Sequence, residues 1–152
     1  MTTKANYTSD EWKVVADAPM FAGLSVAKVD MSVVSFAKEF TALIRFLTEA
    51  GGKYPSNELI RAIVADASAK KDQGEPQGPR TVDEAMALIQ RAAHIVEAKA
   101  PAKEAGEYKG FLVRAAEVVA KASGEGFFGT GEAVSDKEKK HLERLRKALH
   151  VQ

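Results

Sequence analysis

The sequence predicts an all-α, single-domain bundle of about seven helices, and three observations carry that prediction. Alanine is abundant and apolar residues recur at spacings of three and four, the repeat that lays one stripe of a helix against a core. β-Branched residues rarely alternate with polar ones, so the period-two signature of a half-buried strand is missing. The patterns Thr8-Ser9-Asp10-Glu11, Thr81-Val82-Asp83-Glu84 and Ser135-Asp136-Lys137-Glu138 each precede a periodic apolar run. This is the reciprocal capping arrangement of a helix N-terminus, where two orphan amides are satisfied at once.

The first helix starts at Thr8 and carries Trp12, Val15 and Ala16. Pro19 suits a first helical turn, where its missing amide has no partner to lose, so residues 19–29 read as a second helix. A break falls at Asp30 to Ser32. A third helix runs to about Ala50 with Phe36, Phe40, Leu43, Ile44 and Leu47 on one face, and Gly51-Gly52 is its expected stop. Pro55-Ser56 opens a fourth, with Ile60, Ile63, Val64 and Ala67 inward. Residues 70–80, "KKDQGEPQGPR", are polar and rich in glycine and proline, which predicts an exposed loop. The fifth helix follows Thr81 and turns Val82, Met86, Ile89, Ala93 and Val96 inward. Pro101 starts a sixth, with Phe111, Ala115, Val118, Val119 and Ala122 aligned. After a second exposed loop at about 124–134, Ser135 caps the last helix, whose inner face is Leu142, Leu145 and Leu149.

Composition bounds the function classes. A chain of 152 residues fits one domain, long enough to bury roughly 70% of the surface its unfolded form exposes. With 45% hydrophobic and 28% charged residues it has a globular rather than a disordered composition. A formal net charge of +1 supplies no global field for nucleic acid or an anionic membrane. The absence of cysteine removes disulfides, thiolate zinc sites, iron–sulfur clusters and cysteine nucleophiles. "MTTKANYTSDEW" has no apolar run of the signal-peptide kind, and no stretch approaches the ~20 residues of a membrane span. The expectation is a cytoplasmic protein.

The loop at 124–134 contains Gly124-Glu125-Gly126-Phe127-Phe128-Gly129, a literal G-x-G-x-x-G. A dinucleotide fingerprint needs a strand before the glycines and a helix N-terminus after them, so that free amides meet a pyrophosphate. Here "FLVRAAEVVAKAS" precedes them, a segment helical by spacing, and Glu125 and Glu132 would repel phosphate. No Gly-Lys-Ser/Thr follows, so the loop is no P-loop either. Three readings stay open. The glycines can provide positive φ in a helix–helix connection whose Phe127 and Phe128 tuck back onto the bundle. The two phenylalanines can instead stay exposed as a docking point for a protein partner or a second copy. Or Glu125, Glu132 and Asp136, joined by Asp30, can hold a divalent cation such as calcium, although the spacing matches no EF-hand loop.

Other chemistry is sparse. His94, His141 and His150 form no paired metal spacing. His94 sits among Ala92, Ala93 and Ile95 and reads as a core or boundary histidine; His141 and His150 fall on a charged helix read as exposed. Glu138 and His141 make one Glu-x-x-His where a di-iron bundle needs two. No G-x-S-x-G occurs. Asp17, Asp30 and Asp66 lie beside apolar faces, at positions typical of caps and boundaries. The final helix has six Lys or Arg against three Asp or Glu, interleaved at ion-pairing intervals and without aromatic platforms, so it reads as a solvated face rather than a nucleic-acid site.

"VAKVD" at 26–30 and "VAKAS" at 119–123 raise an internal repeat, which would relate two helix pairs by a pseudo-twofold axis. "RAAEVVAKASGEGF" followed by "VSDKEKKHLERLRKALHV" resembles the closing helix pair of TerB-like tellurite-resistance proteins, and "GLSVAKVD" would correspond to their first pair. That family's turn aspartate is matched by Asp30 but replaced by Ser123 in the second unit. The resemblance implies an all-helical, pseudo-symmetric bacterial protein with a stress-related role. The functional expectation is a non-enzymatic interaction or scaffold module; the alternative is a helical protein that binds a metal or small ligand through the acidic glycine-rich loop.

Overall fold

The computed structural model describes residues 2–30, 36–70, 79, 81–124 and 135–151, with backbone alone at 30, 36–38, 70, 123 and 124. Among them are one 3₁₀ turn, Lys4–Asn6, and six α-helices: α1 Ser9–Asp30, α2 Phe36–Lys53, α3 Glu58–Lys70, α4 Val82–Lys99, α5 Ala102–Gly124 and α6 Asp136–Leu149. No strand occurs among the described residues, and none of their helices is long and apolar enough to cross a membrane.

The three capping patterns act as the sequence predicts. Glu11 N donates to Thr8 Oγ1 at 3.2 Å while Thr8 N donates to Glu11 Oε2 at 2.9 Å. Ser135 and Glu138 make the same exchange at 3.2 and 3.1 Å. Thr81 Oγ1 accepts from Glu84 N at 3.1 Å.

The helix count falls from seven to six at Pro19, which lies inside α1 rather than at the head of a separate helix. A mid-helix proline leaves the carbonyl four residues earlier without its amide donor. That carbonyl is Val15 O, and it accepts a 2.8 Å hydrogen bond from the buried Tyr108 hydroxyl of α5. Burial, with lesser terms from Tyr7 and Asp17, holds the Tyr108 phenol well above its ordinary value, so it stays a donor. A tertiary hydrogen bond therefore replaces the one proline deletes, and the helix continues. Gly51 and Gly52 do not stop α2 either; it runs to Lys53 and ends ahead of Pro55, whose ring disfavours helical backbone in the preceding residue. The next helix begins at Glu58, with Asn57 rather than Pro55-Ser56 at its head: Asn57 Oδ1 accepts from Ile60 N at 2.9 Å.

α1 is the axis of the bundle. It packs against all five other helices, most extensively α4 and α5, and buries Trp12, Val15, Ala18, Phe21, Ala22, Ser25 and Val26. α5 forms the second layer with Tyr108, Phe111, Leu112, Val119 and Ala120 buried, while α2 lies on α5 and α3. Each large side chain taken fully out of water, Leu43, Ile60, Ile89 and Leu145 among them, contributes about 1.5–3 kcal/mol before entropy is counted. Small residues set the helix spacing. A Cβ on Gly23 would lie 2.6 Å from Leu43 Cδ2 and 3.0 Å from Val119 Cγ2, so α1 meets α2 and α5 at the point where it has no side chain.

The amino-terminal segment lies across the bundle as a strap. Thr2 is tied to Glu104 of α5, Lys4 reaches Asp66 of α3 at 3.5 Å, and Lys99 of α4 donates to the Asn6 carbonyl at 3.0 Å. Tyr7 stacks at a tilt on Trp12 with ring centroids 5.9 Å apart. "VAKVD" closes α1 and "VAKAS" lies in the last turns of α5, so both short matches sit at carboxyl ends of the two central helices.

Candidate functional site

Most of the loop residues singled out from the sequence, Glu125, Phe127, Phe128 and Glu132, lie outside the described residues, as does the side chain of Asp30, which closes α1. Asp136 is exposed in the first turn of α6. Among the described residues no three His, Asp or Glu side chains gather in a way that could hold a metal ion. The carboxylates considered from the sequence are separated: Asp66 pairs with Lys4 on α3, and Asp17 lies near the Tyr108 phenol.

Two histidine expectations are reversed. His94 is not in the core: its side chain is 81% exposed and 3.6 Å from Glu97, one turn along α4. His141 is not on the solvent face: it is buried, and its Nε2 lies 2.8 Å from Ser25 Oγ of α1. Position decides both. Counting back from Leu149 and Leu145 by threes and fours lands on Leu142, His141 and Glu138, all buried, whereas 94 falls between the inward positions Ala93 and Val96. The charge around His141 and the alanines around His94 mislead; the helical spacing does not.

The Ser25–His141 contact has the composition of a nucleophile and its base, but not the polarity. Ser25 Oγ donates to the Ala22 carbonyl at 2.7 Å. Its hydrogen is thus engaged, and the bond to His141 runs from the ring Nε2–H to the serine oxygen, which assigns the Nε2–H tautomer to the neutral ring. An activated serine needs the reverse, with the imidazole nitrogen accepting. Ser25 also has no exposed surface. Burial depresses the His141 pKa, and the nearby Arg144 charge adds to the effect, which keeps the ring neutral near pH 7. The pair acts as a buried polar tie between α1 and α6.

The surface feature that remains is an apolar crevice between α1, α2 and α5, lined by Gly23, Leu24, Ala27, Phe40, Leu43 and Val119, with Glu39 beside them. Leu43 and Val119 are buried at its floor, whereas Leu24, Ala27 and Phe40 are half-buried at its rim. It lies toward the carboxyl ends of α1 and α5, near where residues 31–35 and 125–134 leave the described chain.

The outer face of α6 carries cations that are largely paired, as its sequence predicts: Arg144 with Asp83 at 2.9 Å, Lys147 with Glu143 at 3.5 Å, and Arg146 with Glu117 of α5. His150 ends the helix in the left-handed conformation, φ 56°. Compared with protein-family models, curated proteins and solved structures, the chain matches none.

Proposed function

We propose that the chain is a non-enzymatic helical interaction module that associates with a second copy of itself, the Phe127-Phe128 pair of one copy entering the α1–α2–α5 crevice of the other. The observation that supports this reading is the crevice: its rim residues Leu24, Ala27 and Phe40 keep apolar surface only half-buried. The same chain carries two adjacent phenylalanines three residues beyond Gly124, where α5 ends. A floor of buried leucine and valine with a partly open apolar rim is the form of a pocket that takes an aromatic anchor. With a formal net charge of +1, two copies approach with little mutual repulsion. The polar groups of the interior support the same reading, since Ser25, His141 and Tyr108 tie helices together. The likeness of the last helix pair to TerB-like proteins adds a stress-related setting to the proposal.

Light scattering on the eluting protein tests it. The expected mass is about twice 16.4 kDa at high concentration, falling to that of one chain in Phe127→Ser/Phe128→Ser with unchanged helicity. A wild-type protein that stays a single chain throughout removes self-association. A dimer that survives the double substitution removes the aromatic pair as its contact.

A further inference from the structure

We infer that the peptide bond preceding Thr2 is hydrolysed in the mature protein, so that the Thr2 nitrogen is a free α-ammonium forming a buried ion pair with Glu104. The inference comes from the surroundings of one carboxylate. Glu104 lies in the first turn of α5 and is only 2% exposed. The positive end of the helix favours its ionised form, and its charge helps raise the Tyr7 phenol, whose shift comes first from burial. A carboxylate this deep is costly unless a cation stands beside it.

No lysine or arginine among the described residues forms an ion pair with it. The two lysines nearest the strap are engaged elsewhere: Lys4 on Asp66 at 3.5 Å, and Lys99 on Glu11 at 2.9 Å. The contact that meets both carboxylate oxygens is the Thr2 nitrogen, 3.0 Å from Oε1 and 3.1 Å from Oε2. The Thr2 hydroxyl adds a 2.5 Å bond to Oε1 and receives the Tyr7 hydroxyl at 2.9 Å. An amide has one hydrogen to divide between two oxygens. An ammonium points one hydrogen at each, keeps a third, and brings the missing positive charge. Thr2 itself is 5% exposed, so this charge would be held inside the bundle rather than left in water.

In the step, water adds its hydroxyl to the carbonyl of residue 1 and a proton to the Thr2 nitrogen, which takes up a further proton at neutral pH. A peptidase that trims methionine supplies the catalysis, and the small threonine side chain suits it. Met1 leaves as the free acid.

The test uses the full chain, expressed without an amino-terminal tag. Intact mass is expected to show a protein lighter by one methionine residue, with an unblocked amine at Thr2; retained Met1 or an acylated Thr2 would overturn the inference. A second protein carries one glycine ahead of Thr2, left by tag removal, which turns the ammonium back into an amide. It is expected to melt about 5 °C lower than the trimmed chain, a shift of the size a lost buried partner produces in a domain of this length. In Glu104→Gln that difference should disappear. Equal melting of the trimmed and glycine-extended chains, or a difference undiminished in Glu104→Gln, would remove the ion pair.

Discussion

Replacing Tyr108 by phenylalanine deletes one oxygen from the middle of the bundle, and its surroundings set the cost. Tyr108 is fully buried, and its hydroxyl serves the Val15 carbonyl that Pro19 has deprived of an amide. The ring itself stays, so little cavity forms; the loss is the hydrogen bond and the desolvated carbonyl left behind, about 1–3 kcal/mol. Taking about 2 kcal/mol and roughly 2–4 °C per kcal/mol for a chain this long, the melting temperature should fall by about 4–8 °C. The replacement mechanism makes a sharper claim. In Pro19→Ala, residue 19 regains an amide that can bond Val15 O, and α1 recovers much of the ~3 kcal/mol that a mid-helix proline costs. In that background Tyr108→Phe should cost about 1 kcal/mol or less. Thermal and urea unfolding of the four proteins, followed by circular dichroism, closes the cycle. If Tyr108→Phe costs the same with and without Pro19, the two residues are independent and this account of the uninterrupted helix is wrong.

Two further outcomes follow from named contacts. Gly23→Ala gains up to about 1 kcal/mol of helix propensity, yet its methyl would press on the fully buried Leu43 at 2.6 Å, and overpacking of this kind costs about 1–3 kcal/mol. It should therefore melt lower than wild type. Gly106→Ala, with nothing within 4 Å of the new methyl, should melt higher by virtue of the same propensity, and matching shifts in both would contradict the close approach of α1 to α2 and α5. His141 has its pKa lowered by burial from an ordinary 6.5, so below about that pH the unfolded chain binds more protons and stability declines with acidity. Urea midpoints measured from pH 7.5 to 5 should show the decline in wild type and a smaller one in His141→Gln, which offers Ser25 a donor but does not titrate; parallel curves would contradict a buried neutral ring.

Local chemistry was enough to specify the helices that begin on a cap and carry an apolar stripe. Thr8, Thr81 and Ser135 satisfy amides within three residues of themselves, and the stripes of α4, α5 and α6 bury Ile89, Phe111 and Leu145 as their spacing requires. These forces act over one turn, so the sequence by itself determined them. Tertiary structure decided whatever depended on a partner far along the chain. Pro19 ends a helix unless a donor arrives from residue 108, and that donor belongs to another helix. His141 looks solvated by its charged neighbours until α1 brings Ser25 against it. Glu104, an ordinary first-turn acid by position, becomes a buried charge only because the strap from Thr2 covers it. A hydrogen bond or an ion pair depends on distance in space, and for these residues that distance was closed by packing, across 93 to 116 positions of chain.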